Sequence, residues 1–173
     1  MKSLESFIRN VPDFPVKGIQ FKDITTLLKN GELLAQAVDQ MYDPFRELEI
    51  NKIVGIEARG FIFGSALAYK LNLGFIPIRK PGKLPAEVEK EEYNLEYGQD
   101  SVEMHRDAIE EGEKILIVDD LLATGGTAAA TVRLIEKLGG EVVGLSFLIE
   151  LTELKARSLL KNYKVYSLMQ FPF

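Results

Sequence analysis

The chain has 173 residues, 46% of them hydrophobic, enough for one domain that buries a sizeable core without covalent staples. Without cysteine it can form no disulfide, thiolate metal site or cysteine nucleophile, and its lone histidine, His105, excludes a multi-histidine zinc site. A net charge of −5 argues against general nucleic-acid binding, so any anion site has to be a local cluster of cations.

The stretch Met1 to Ser6 lacks the apolar run of a signal peptide, and nothing approaches the roughly 20 apolar residues of a membrane span. The expectation is a cytoplasmic protein, without membrane contact, that forms a single domain over 1–173. In chain order, residues 13–26 are rich in turn formers and a helix is predicted over 32–41. Lys52 to Glu57 reads as a buried strand, 61–71 as a helix and 75–78 as the returning strand. The segment 87–106 is polar and alternating, as in an exposed hairpin or a mobile loop. A second strand–helix–strand unit follows: Ile115 to Val118, a helix over 127–138 with Val132, Ile135 and Leu138 on one face, a stop at Gly139-Gly140, and a strand over 142–149. A helix over 152–160 and a strand over 164–168 complete the pattern. Short apolar strands alternating with helices give an α/β fold with a parallel sheet covered on both faces, whose ligands bind at the carboxyl ends of strands.

The turns after Glu57 and Val118 are therefore the candidate sites. Val118-Asp119-Asp120-Leu121-Leu122-Ala123-Thr124-Gly125-Gly126-Thr127 places two carboxylates at what reads as an exposed strand end, before adjacent glycines where a helix begins. Paired acids suit a row of hydroxyls or a metal. Successive N–H groups at a helix start, with the hydroxyls of Thr124 and Thr127, suit a phosphate. Together they describe a site for a ribose 5-phosphate. No lysine follows the glycines and no G-x-G-x-x-G occurs, so this is not a nucleoside-triphosphate loop.

Val118 to Thr127 resembles the phosphoribosyl-diphosphate (PRPP) motif of the type I phosphoribosyltransferases, and Leu121-Leu122-Ala123 within it resembles their adenine-specific branch. The likeness runs along nearly the whole chain in family order. Pro12-Asp13-Phe14-Pro15 and Gly18 to Thr25 resemble the small N-terminal hood, about residues 1–30, that covers the base. It implies adenine recognition through backbone groups near Gln20 and Lys22, with stacking by Phe21; the family often carries arginine where Lys22 stands. An ordinary core aromatic is the alternative for Phe21. Glu57-Ala58-Arg59-Gly60-Phe61 matches the pyrophosphate-binding loop, and Arg79-Lys80-Pro81-Gly82-Lys83 the next basic segment. These imply pyrophosphate contacts from Arg59, Arg79, Lys80 and Lys83, with Arg79 reaching across the interface of a homodimer.

Glu92 to Gly98 resembles the mobile catalytic loop, which gives Glu96 the base's N7 and makes it, with Arg59, a candidate catalytic residue; His105 is expected to be structural. The resemblance implies transfer of ribose 5-phosphate from PRPP to adenine, giving AMP and pyrophosphate. Asp119, Asp120, Ala123, Thr124, Gly125, Gly126 and Thr127 would hold PRPP or AMP, and Mg2+ would arrive on PRPP without dedicated protein ligands. A transferase for a 6-oxopurine such as xanthine or hypoxanthine is one alternative. A non-catalytic PRPP-binding regulator is another, although the chain has neither the spare length nor the basic face for nucleic acid.

Overall fold

The computed structural model describes residues 3–95 and 98–173. Strands β1 (Arg9–Pro12) and β2 (Gln20–Asp23) pair antiparallel as a small N-terminal hairpin. Arg9 fastens it, donating from Nε to Asp23 at 2.9 Å, while Asp23 accepts the Thr25 N–H at 2.9 Å. Helix α1 (Thr25–Leu28) and helix α2 (Gly31–Tyr42) follow. Asn30 caps α2 by accepting the N–H groups of Glu32 and Leu33, which have no carbonyl partner within the helix.

The core is β3 (Lys52–Ile56), α3 (Gly60–Leu71) and β4 (Gly74–Ile78), then the hairpin β5 (Val88–Asn94) and β6 (Gln99–His105), then β7 (Lys114–Leu122), α4 (Gly126–Lys137), β8 (Glu141–Leu151) and β9 (Val165–Phe171). The sheet order is β4-β3-β7-β8-β9, and all its pairs are parallel. Apolar residues run without alternation in the central strands because both faces are covered. Ile115 and Ile117 of β7 point into a core shared with α4 and the β5–β6 hairpin, whereas Leu116 and Val118 point into a core shared with α2 and α3. Gly139, at φ +87°, ends α4, and Gly140 donates back to the Ile135 carbonyl.

Three expectations change. The helix expected over 152–160 is two short 3-10 turns, Thr152–Leu154 and Ala156–Leu159, separated by Lys155 at φ +54°. A non-glycine residue in that region interrupts a helix, and Arg157 is drawn instead to Glu150 and to the Val165 carbonyl. Strand β7 does not stop at Val118 but continues through both aspartates to Leu122, because Leu121 and Leu122 pair with Ile149 and Glu150 of β8. The polar 87–106 segment is a hairpin with a buried inner face: Tyr93, Val102 and Met104 join the core under α4, and Arg79 bridges to Glu103. His105 ends that hairpin and accepts the Ala86 N–H at 3.3 Å, a structural contact. Among the described residues no helix is long and apolar enough to cross a membrane.

Candidate active site

The carboxyl ends of β3 and β7 lie side by side, as neighbouring parallel strands require, and the residues after them enclose a pocket of about 360 Å3. Glu57, Ala58 and Arg59 line one wall, Asp119, Asp120 and Leu121 the floor, and Lys80 and Val102 the side towards the hairpin. A smaller hollow of about 80 Å3 adjoins it at the start of α4, bounded by Thr124, Gly125, Thr127 and Phe147. Asp119, Leu121, Ala123 and Thr127 line both, so the two form one continuous trough.

The small hollow has the chemistry of an anion cradle. Gly125 takes φ +87°, turning the chain so that α4 starts at Gly126. The first α4 bond that reaches back to Gly125 is donated by Ala129, so the N–H groups of Gly126, Thr127 and Ala128 have no partner in their own helix. They face an end where the helix dipole favours negative charge.

The two aspartates differ from each other. Asp120 is buried, 6% exposed, and forms an ion pair with Arg59; the expectation of an exposed strand end is corrected here, since β8 covers the extension of β7. Asp119 accepts the Asp120 N–H at 2.8 Å. Burial pushes its carboxyl well above the usual carboxylate range and the neighbouring Asp120 charge adds to the rise, while the Asp120 N–H and Arg59 oppose it. Gly60 makes this packing possible: a Cβ there would stand 2.5 Å from Asp119 Oδ1.

Glu57, to which sequence reasoning gave no separate role, organises the cations. It accepts the Lys80 N–H and, at 2.8 Å, the Lys83 ammonium, with Arg79 Nε 3.5 Å away. Burial works to raise its pKa, but Lys83, the Lys80 N–H and Arg79 outweigh it and hold Glu57 below its ordinary value. Arg79 also donates to the Lys83 carbonyl at 3.3 Å, so within one chain its guanidinium turns along its own basic segment. Lys80 points into the pocket yet is engaged with the hairpin, through the Tyr93 hydroxyl at 2.7 Å and an ion pair with Asp100. Burial acts to lower the Lys80 pKa, but Asp100 and Tyr93 prevail and raise it. Tyr93 and Asp100 face each other across the β5–β6 ladder. The alternation of this segment is legible in the sequence, but neither the register nor the tie to Lys80 is.

The predicted base-binding residues sit on the hood and none of them lines the trough; Phe21 alone approaches it, beside Arg59. Phe21 is half-buried and not a core aromatic. Its ring stands edge-on to Phe14 at 5.1 Å and lies 5.5 Å from the Arg59 guanidinium. Gln20 and Lys22 instead turn their side chains to Asn10, at 2.7 and 3.0 Å. Glu96, the predicted proton carrier, lies outside the described residues. Among the described residues no group of three or more acidic, histidine or cysteine side chains could hold a metal ion.

A family model of the phosphoribosyl transferase domain matches residues 21–170. Adenine phosphoribosyltransferases of Clostridium perfringens and Halothermothrix orenii are 59% and 60% identical to it, over 98% and 96% of this chain and 98% of each relative. The chain belongs to the adenine phosphoribosyltransferase family. The fold agrees: the adenine phosphoribosyltransferase of Rhodothermus marinus superposes with a TM-score of 0.93 at 56% identity, covering 97% of this chain and 96% of that one. The Saccharomyces cerevisiae adenine phosphoribosyltransferase, solved with an imino-altritol bisphosphate and adenine, superposes at 0.90 with 42% identity, covering 95% and 96%. As a member of the adenine phosphoribosyltransferase family the chain is an enzyme of purine salvage, joining adenine to the ribose 5-phosphate of PRPP.

Proposed function

We propose that PRPP lies along the trough with its 5-phosphate in the small hollow, its ribose over Asp119 and its pyrophosphate toward Arg59, Lys80 and Lys83. The observation that carries this reading is that the hollow at the start of α4 adjoins the pocket over the two aspartates, with Asp119 and Thr127 lining both. Thr124, Gly125, Gly126 and Thr127 supply N–H and hydroxyl donors to the phosphate, with Ala123 closing the wall. Asp119 and Asp120 face the ribose hydroxyls. The hood brings adenine in beside Phe21, with backbone groups of Gln20 and Lys22 reading its edge. The hood, sheet and hairpin then act as one catalytic domain in the cytoplasm, and a homodimer would let Arg79 serve a partner's site.

In the reaction the C1–O bond of PRPP breaks with its electron pair leaving on pyrophosphate, and a C1–N9 bond forms from the N9 lone pair while the proton that adenine carries at N7 passes to Glu96. Separation of charge at C1 leads attack, so the site's task is electrostatic: carboxylates near the ribose and cations near the departing oxygens. Glu96 beside N7 balances the proton change at the base. Magnesium would arrive on PRPP, keeping several waters and taking its remaining oxygens from the substrate without dedicated protein ligands. Carried on the substrate, Mg2+ would supply charge neutralisation on the leaving pyrophosphate.

The test is pyrophosphate release from PRPP and magnesium with adenine, hypoxanthine and xanthine in turn, for the native chain and Glu96→Gln. Adenine should be strongly preferred, and Glu96→Gln should lower kcat about 10²–10⁴-fold with PRPP affinity retained. An unchanged kcat would return Glu96 to being a solvated acid.

A further inference from the structure

The phosphate hollow rests on a segment that no catalytic motif includes. Behind Gly125 stands Ala156, itself buried: a Cβ built on Gly125 would meet the Ala156 Cβ at 3.0 Å and its carbonyl oxygen at 3.1 Å. The turn carrying Ala156 is the 3-10 stretch found where a helix was expected, closed locally by the Ser158 N–H on the Lys155 carbonyl and the Leu160 N–H on the Arg157 carbonyl. Beyond that local bonding and the burial of Ala156 and Leu160, Arg157 ties the turn to the sheet, donating to the Glu150 carboxylate through Nε at 2.9 Å and through Nη2 at 2.8 Å, and to the Val165 carbonyl through Nη1 at 3.0 Å.

Glu150 is 4% exposed and lies on β8 opposite Leu122, the last residue of β7 and part of the lining of the hollow. A carboxylate is taken out of water at the inner end of the sheet and matched to the fork of an arginine, a geometry a lysine cannot reproduce. Replacing such a pair with apolar residues is often neutral or favourable for stability, so stability alone does not account for it. Its geometric effect is to lock Ala156 against Gly125 and so fix the turn from which the N–H groups of Gly126 and Thr127 project.

We propose that Glu150 and Arg157 are positioning residues for the reaction, a clamp that sets the 5-phosphate cradle by holding Ala156 against Gly125. The proposal rests on the 5-phosphate occupying the hollow at the start of α4. Neither residue touches substrate. Their influence is confined to the phosphate end of the trough, because Arg59, Glu57 and the hood are held by separate contacts.

The experiment compares Arg157→Lys and the charge-neutral pair Glu150→Gln/Arg157→Gln with the native chain. Three quantities are read: the Kd of ribose 5-phosphate, the KM of adenine and amide hydrogen exchange over 124–128. A small misplacement of a preorganised group costs up to about a hundredfold, so ribose 5-phosphate affinity should fall about 10- to 100-fold. Amide exchange over 124–128 should quicken, while the adenine KM moves less than about twofold. Thr124→Ala/Thr127→Val is measured beside them. If that variant keeps native ribose 5-phosphate affinity, the phosphate is elsewhere and the underlying reading fails. If it loses affinity while the clamp variants keep theirs, or lose thermal stability alone, the clamp is merely structural and the proposal is overturned. Should the double variant not fold, Arg157→Lys decides the matter, since it retains the charge and loses only the fork.

Discussion

Arg59 and Asp120, 61 residues apart in sequence, close the floor of the trough with an ion pair in which the carboxylate is 8% exposed and the guanidinium 47%. The acid is committed to the protein, while the base keeps one side open to a ligand and to the ring of Phe21. Asp120 therefore does two things: it lines the pocket proposed for the ribose and it aims Arg59. Asp120→Asn keeps the shape but removes the charge that aims the guanidinium, so KM for PRPP should rise about 10- to 100-fold, with a stability loss of about 1–3 kcal/mol. Steady-state kinetics and thermal unfolding of the same preparation check both numbers, and a native PRPP KM would show that Arg59 needs no such partner.

Asp119 gives a prediction with the opposite sign for stability. Its folded pKa lies above the ordinary 3.8, chiefly through burial. The native state thus holds this proton more tightly than the unfolded chain, and stability falls as pH rises from about the ordinary value through the raised one. Asparagine accepts the Asp120 N–H equally well and never ionises. Asp119→Asn should therefore be more stable than the native chain at neutral pH, with a difference that shrinks as pH drops towards 4, while PRPP use is lost. Unfolding curves at several pH values test this; a pH-independent difference would mean that Asp119 titrates normally.

Gly60 decides whether Asp119 can sit where it does. In an exposed helix interior Gly→Ala is favourable by about 0.8–1 kcal/mol. Here the added Cβ would stand 2.5 Å from Asp119 Oδ1 and 3.2 Å from both its Cα and the Val118 carbonyl. Two of those atoms are backbone and cannot swing away, so overpacking at about 1–3 kcal/mol wins. Gly60→Ala is expected to be less stable and to lose PRPP affinity together. A stabilised, active variant would show that α3 can slide away from β7.

The order of strands and helices in the core was legible because short unbroken apolar runs and helical spacing are local patterns, and so was the glycine turn at 125–126. The misread segments are those where a distant partner decides. Residues 152–160 read locally as a helix, yet Arg157 takes its conformation from Glu150 and Val165. Asp119 and Asp120 look like turn residues because acids disfavour strands, but pairing of Leu121 with Ile149 carries the strand past them. Glu57 as an organiser was hidden for the same reason, since its partners lie 23 and 26 residues away.

Lys80 offers the last prediction, because it is claimed twice. Its ammonium points into the trough, where a leaving pyrophosphate would need it, and is held at the same time by Asp100 and the Tyr93 hydroxyl. If pyrophosphate is to gain Lys80, Asp100 has to give it up, and the ion pair is subtracted from product affinity. Both side chains are about a third exposed, 37% and 32%, so water screens the pair and its worth is about 0.2–1 kcal/mol, or up to fivefold in an equilibrium constant. Asp100→Asn releases that fraction: the inhibition constant of pyrophosphate should fall about two- to fivefold, and product release should slow correspondingly. Tyr93→Phe keeps Asp100 and should change the constant less. The decisive comparison repeats Asp100→Asn in a Lys80→Met background, where a cycle of this kind isolates the pair. The gain in pyrophosphate affinity should vanish there; if it persists, Asp100 acts through the general negative charge of the hairpin and Lys80 is not the residue being shared.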